Sequence, residues 1–216
     1  MKERPILFSG AMVSAILEGR KTVTRRLVKP QPDFLGSMTD PTTPFKTLGA
    51  GLHGQIVCPY GQPGDRLWVR EAHSIHQTHG QRREDGERWG PWGGLPARIS
   101  PNGTQIAYYR EGFDRCDPGR WRPSIHMPRW ASRILLEITA VRCERLQDGD
   151  GETAFESRYL AEGIHRIHHG DGEYYYHAFQ SEPGPGNWVD PIDAWRELWV
   201  SVSGAGSWAA IPWVWV

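Results

Sequence analysis

The chain has 216 residues, 38% of them hydrophobic, with 25 Gly, 17 Pro, and 11 Trp, 7 Tyr and 6 Phe to fill a core. Gly and Pro stay below the share of an unordered low-complexity chain, and the length fits a single domain over 1–216 with long loops. Lys plus Arg and Asp plus Glu are 25 each, so the net charge is zero, which argues against a globally basic surface built to coat a polyanion. The charge is uneven along the chain, however. Residues 1–35 hold seven basic and three acidic side chains, whereas 144–216 hold four basic and twelve acidic. A cleft in which these two ends meet is expected to be polar and mixed in sign.

Residues 11–18 read as a short helix, with Met12, Ala15 and Ile16 on one face and Gly19 as a left-handed cap. The β-branched run Thr22-Val23-Thr24 turns the chain extended after Gly19. Residues 31–51, rich in Pro, Gly and Thr, read as an irregular loop. Pro63-Gly64-Asp65 is a turn leading into the strand Arg66-Leu67-Trp68-Val69-Arg70. Residues 77–104, rich in Gly, Pro and Arg, read as a long surface insertion before a strand resumes over 105–109. Ile134, Leu136, Ile138 and Val141, with polar residues between them, mark one strand over 133–146. A helix is expected over 152–162, stopped by Gly163, and the His-, Gly- and Tyr-rich stretch 165–189 reads as a second inserted loop. Asp190 as N-cap and Pro191 at the first helical position open a third helix through Trp199, and 212–216 form a last strand. Several strands and three short helices outside βαβ alternation give an α+β domain around a small sheet or barrel.

No apolar run approaches the ~20 residues of a membrane helix, and the polar start Met1-Lys2-Glu3-Arg4 has no signal-peptide core. Cys58, Cys116 and Cys143 are far apart and free of CxxC spacing, so a cytoplasmic protein without a disulfide framework or Cys-based zinc site is expected. His165, His168, His169 and His177 sit among Gly and Asp and read as solvated rather than as metal ligands. Neither metal nor cofactor is expected. GxSxG, Walker, HExxH and GxGxxG signatures are all absent.

The densest polar cluster is Glu18-Gly19-Arg20-Lys21-Thr22-Val23-Thr24-Arg25-Arg26. Lys21 is one of only four lysines, in a chain that otherwise prefers arginine. Burial or neighbouring positive charge makes a lysine neutral, which an arginine never becomes. A neutral lysine beside a threonine hydroxyl is a base–nucleophile pair of the Ser-Lys type. The competing reading is a solvated basic strand or a phosphate-binding patch. On a straight strand Lys21 and Thr24 point to opposite faces, so the catalytic reading requires a bend at Thr22-Val23.

The motif Gly19-Arg20-Lys21-Thr22-Val23-Thr24-Arg25-Arg26 resembles the signature of the ASCH domain, a branch of the PUA-like β-barrel superfamily. Supporting segments are Pro63-Gly64-Asp65-Arg66-Leu67-Trp68-Val69-Arg70-Glu71, His126-Met127-Pro128-Arg129-Trp130, Leu160-Ala161-Glu162-Gly163-Ile164, Trp195-Arg196-Glu197-Leu198-Trp199 and Trp213-Val214-Trp215-Val216, and they look like the larger phage and prophage members. The resemblance implies a PUA-like barrel with the first helix and the Lys21 motif at one mouth. The functional parallel is the N(4)-acetylcytidine amidohydrolase branch, whose Gly-Arg-Lys-Thr-Ile-Thr motif is similar to 19–24. That branch implies a metal-independent hydrolysis of N(4)-acylcytosine nucleosides, with Lys21 as proton acceptor, Thr24 as nucleophile and Glu162 as proton donor. Arg26 or a backbone N–H would serve the oxyanion. Arg20, Arg26, Glu71 and Trp68 are the candidate substrate-binding residues; Glu71 either faces the pocket as a second acid or pairs with an arginine. Trp68, Trp130 and Tyr109 are candidates for stacking on a base. Insertions at 77–104 and 165–189 imply a pocket wider than acetyl requires, and the last strand is expected to be weak. The alternative implied by the family is an RNA- or modified-base-binding module with ribonuclease activity, its Arg20, Lys21, Arg25 and Arg26 on phosphates.

Overall fold

The computed structural model describes residues 1–36, 41–79, 90–148, 158–170 and 172–216. In chain order the first elements are β1 (Glu3–Leu7), α1 (Gly10–Leu17), β2 (Arg26–Leu27), β3 (Phe34–Leu35), β4 (Pro44–Gly49) and β5 (Leu52–Gln55). Then come β6 (Arg66–Arg70), β7 (His73–Gln77), β8 (Ala97–Ile99), β9 (Gln105–Tyr109), β10 (Leu135–Glu137) and β11 (Cys143–Arg145). The chain finishes with β12 (His165–His168), β13 (Tyr174–His177), α2 (Pro191–Ser203) and β14 (Trp213–Trp215). Among the described residues this is a mixed α+β chain of small sheets with two α-helices. None of its helices is long and apolar enough to cross a membrane.

The chain divides into two compact units. The first comprises Met1–Ser14 and Tyr60–Thr139. Its β6 is flanked by β1, in parallel, and by β10, antiparallel, and it buries Leu67 and Val69 while Arg66, Trp68 and Arg70 alternate outward. Asp65, in the expected turn, accepts from the Lys2 N–H at 2.7 Å and from Arg4 at 3.0 Å, tying β1 to the start of β6. A second sheet, β7-β9-β8, packs Ala107 and Tyr109 onto Met127 and Ala131.

The second unit comprises Ala15–Pro59 and Ala140–Val216. Here β14 is the central strand, between β11 and β2, with Glu144 opposite Val214 and Arg26 opposite Trp215. The last strand, expected to be weak, is therefore paired along both edges. Helix α2 starts as read: Asp190 caps the Ile192 N–H at 2.9 Å and Pro191 occupies the first turn. The helix runs on to Ser203, past the expected end at Trp199, and buries Ala194, Trp195, Leu198 and Trp199 at helical spacing. Trp195 stacks on Tyr159 at 4.6 Å between centroids and meets Trp208 edge-on at 5.0 Å.

Several expectations need correction. Residues 31–51 are not wholly irregular, since they hold β3 and β4, which pair with each other and, through β4, with β5 just beyond. The 165–189 stretch opens with a hairpin in which His165 faces His177. Within 77–104, Ala97–Ile99 pairs with β9, while 80–89 lie outside the described residues. The single strand over 133–146 is two strands in different sheets, β10 on β6 and β11 on β14. Of the helix expected over 152–162, residues 152–157 lie outside the described residues, and the rest closes in a 3-10 turn, Leu160–Glu162.

Gly163, after that turn, has φ +98°, and a Cβ there would lie 2.6 Å from the Cβ of Ala15 and 3.3 Å from that of Lys21. Both the left-handed backbone and the contact demand glycine. Gly163→Ala should therefore lower unfolding free energy by about 1–3 kcal/mol in urea titration, far more than an exposed glycine substitution such as Gly93→Ala.

Candidate active site

The site grows out of the end of α1. The Gly19 N–H bonds the Ile16 carbonyl at 3.0 Å and the Arg20 N–H bonds that of Ala15 at 2.9 Å, with Gly19 at φ +75°. This paired closure is the Schellman motif, and it ends the helix where the β-branched run begins. The Lys21 N–H adds a third bond to the same Ala15 carbonyl, at 3.0 Å. Next, the N–H groups of Thr22 and Val23 both donate to the carbonyl of Ala161, at 2.9 and 3.0 Å. In a straight strand, successive N–H groups point to opposite sides and cannot share one acceptor. The chain is therefore bent at Thr22-Val23, as the catalytic reading requires.

The bend turns the Lys21 side chain inward. Its Nζ donates to the Val23 carbonyl at 2.6 Å, the Glu162 carbonyl at 3.0 Å and Glu162 Oε2 at 2.5 Å. The Lys21 and Glu162 side chains are 2% and 4% exposed. The other Glu162 oxygen, Oε1, accepts from Arg25 Nη1 at 3.1 Å. Arg25 also donates through Nε and Nη2 to Glu144 Oε1, at 3.1 and 2.9 Å, and lies 5.2 Å from the Trp195 ring centroid. The basic N-terminal stretch thus meets the acidic C-terminal third in buried ion pairs, the mixed-sign contact expected from the charge distribution.

Lys21 holds its proton less tightly than an ordinary lysine. Burial is the main cause; Glu162 opposes it, and Arg26 and Arg25 add to it. Thr24 Oγ1 is enclosed and has no hydrogen-bond partner among the described residues, so it is not bonded to Lys21.

The remaining candidates are accounted for as follows. Arg20 is committed to Glu18 at 2.7 Å, to the Gly163 carbonyl at 2.5 Å and to His165 Nε2 at 3.2 Å. Arg26 donates to the Arg25 carbonyl at 3.2 Å. Glu71 and Trp68 belong to the first unit. There Glu71 is buried and gripped by Arg133 through both oxygens, at 2.9 and 2.8 Å, which is the arginine-pairing alternative. Burial nevertheless outweighs Arg133 and raises the Glu71 carboxyl above its usual range. Trp68 carries the guanidinium groups of Arg70 and Arg129, at 5.6 and 5.7 Å from its centroid. Tyr109 is buried and donates to the Ala131 carbonyl at 2.7 Å, so it is core rather than a stacking platform, and Trp130 is half-buried against the same cluster. His168 and His169 pack against Tyr174 and Tyr175. Among the described residues no three His, Cys, Asp or Glu groups are gathered to hold a metal.

Glu144 is the residue that sequence reasoning missed. It lies 119 positions from Arg25, inside a short strand, and no local spacing announces the pairing. No protein-family model, curated protein or solved structure matches the chain.

Glu162 separates two buried cations, so removing its charge leaves both without that partner. Glu162→Gln should cost about 3 kcal/mol or more in unfolding free energy. Lys21→Met should cost clearly less, because Arg25 still neutralises Glu162. Urea titration of the two variants checks the ranking.

Proposed function

We propose that the chain is a metal-independent amidohydrolase of ASCH type that removes the acyl group from N(4)-acylcytosine nucleosides. The supporting observation is the buried 2.5 Å contact between Lys21 Nζ and Glu162 Oε2, formed at the bend that leads into Thr24 and its unpartnered hydroxyl. A PUA-like barrel and a cytoplasmic setting go with the same reading, and Cys58, Cys116 and Cys143 are all free thiols.

Passing one proton from Lys21 to Glu162 across that contact gives a neutral amine and a carboxylic acid, which is the arrangement that a base and an acid need. Thr24 Oγ attacks the acyl carbonyl while Lys21 takes the hydroxyl proton, and the oxyanion is met by Arg26 or by a backbone N–H. The N–H of Thr24, which has no backbone acceptor among the described residues, is one such donor. Collapse breaks the C–N4 bond, Glu162 protonates the departing amine, and cytidine leaves. Water then attacks the acyl-threonine ester, giving its proton to Glu162 as Lys21 returns one to Thr24 Oγ, and the carboxylic acid is released. The attack requires the Thr24 hydroxyl to turn toward Nζ, which already lies 2.6 Å from the carbonyl preceding Thr24. The resting side chains are enclosed, so substrate entry requires a local opening.

The RNA-binding alternative is supported less. It needs Lys21 and Arg25 on phosphates, whereas both are buried and held by Glu162 and Glu144.

Incubation with N(4)-acetylcytidine should release cytidine, with turnover unaffected by EDTA. Lys21→Arg, which keeps the charge but cannot give up a proton, should lower kcat about 100-fold or more while a substrate analogue still binds. Near-normal turnover by Lys21→Arg would rule out the lysine base. Activity should also fall on the alkaline side below pH 10.5, where the weakened hold of Lys21 lets the pair lose its shared proton.

A further inference from the structure

We propose that Arg25 is a positioning residue for Glu162, anchored by Glu144, and that its fixed charge sets how tightly the Lys21–Glu162 pair holds its shared proton. The catalytic consequence rests on the amidohydrolase reading; the electrostatic one does not.

Geometry carries the first half. The Arg25 side chain is 1% exposed and spans two carboxylates, reaching Glu162 Oε1 through Nη1 and Glu144 Oε1 through Nε and Nη2. Only a planar guanidinium fork makes these contacts at once; a lysine offers a single point of charge. Glu162 therefore has one oxygen on each cation, and any rotation of its carboxylate breaks a contact on both sides. Trp195, buried in the face of α2, supports the guanidinium at 5.2 Å from its ring centroid.

Charge carries the second half. The charged groups acting on Lys21 besides Glu162 are Arg26 and Arg25 from its own segment, and Glu144 from β11 pairs with Arg25. Glu144 in turn meets Arg142 at 2.8 Å and Arg158 at 3.6 Å. The positive guanidinium of Arg25 pushes the proton off the pair. Glu144, on the far side of Arg25, draws the proton back. Neutralising the two residues must then move the pair in opposite directions. A purely structural role gives loss of stability in both variants and no such antisymmetry.

The chain has four lysines, so [13C]lysine labelling of the full protein gives few enough signals to follow each one, with Lys21 assigned by its absence in Lys21→Arg. Titration from about pH 6 to about pH 11 covers the relevant range. Arg25→Gln should raise the Lys21 midpoint and Glu144→Gln should lower it, each by on the order of half to one pH unit. The alkaline limb of N(4)-acetylcytidine hydrolysis should move in the same two directions. Unchanged midpoints, or shifts of the same sign, overturn the proposal. Should Arg25→Gln fail to fold, Glu144→Gln decides alone: a lowered midpoint supports the assignment, and an unchanged or raised one overturns it. Opposite shifts without hydrolysis by any variant or by the parent chain leave the assignment standing and remove the amidohydrolase reading instead.

Discussion

The second unit is organised around one carboxylate that two cations share. Glu162 is taken out of water, which is costly for any charge, and is offset only by Lys21 on one oxygen and Arg25 on the other. Each cation arrives from the segment after α1, and Glu162 arrives from a 3-10 turn 137 and 141 positions further along. The backbone contacts around them follow from that meeting. The Ala161 carbonyl receives two consecutive N–H groups because the segment must bend for Lys21 to face Glu162, and position 163 is glycine because its backbone is left-handed and a side chain there would strike Ala15.

The same constraint explains the place of β14. Glu144 can neutralise the rest of Arg25 only if β11 lies within reach of the segment that leads into β2. In the sheet order β11-β14-β2, the C-terminal strand is the spacer that sets this distance. Trp215 pairs with Arg26 on one edge of β14 and with Cys143 on the other, so the final strand registers both ends of the network. Val214 and Trp215 are consecutive and point to opposite faces, yet both are buried, so the strand is covered on both sides.

How far the sequence was legible depended on the range of the interaction. The helix over 11–18, its Gly19 cap, the strands at 66–70 and 105–109 and the capped start of α2 all rest on contacts within a few residues, and they appear close to where their residues predict. The inward lysine was foreseeable because Lys21 stands alone among arginines and the charge is lopsided between the two ends. The hairpins within 31–51 and 165–189 were not, because their strands are two to six residues long, punctuated by Gly and Pro, and too short to show a period. The stretch 133–146 alternates without interruption, so nothing local marks the point where the chain leaves the β6 sheet for that of β14. Long-range partners such as Glu144 for Arg25 and Arg133 for Glu71 are decided by topology, which single-residue chemistry does not encode.

Stability alone does not account for the Lys21–Glu162–Arg25–Glu144 chain. Replacing such a buried set with apolar side chains of similar volume is often neutral or stabilising, whereas keeping it requires every charge to find a partner in low dielectric. A satisfied ion-pair network would serve packing as well with arginine throughout, yet the cation that reaches the carbonyl just before Thr24 is a lysine, the one cation that can lose its proton there. Lys21 also meets its carboxylate at the shortest of the four distances in the network, where a proton has least far to travel. Thr24 Oγ1 is the complementary oddity: a buried hydroxyl without a partner forfeits hydrogen-bond energy that any nearby acceptor would have supplied. A cation that can give up its proton and a buried hydroxyl whose hydrogen bond is unmade thus flank the same bend, and packing alone selects neither.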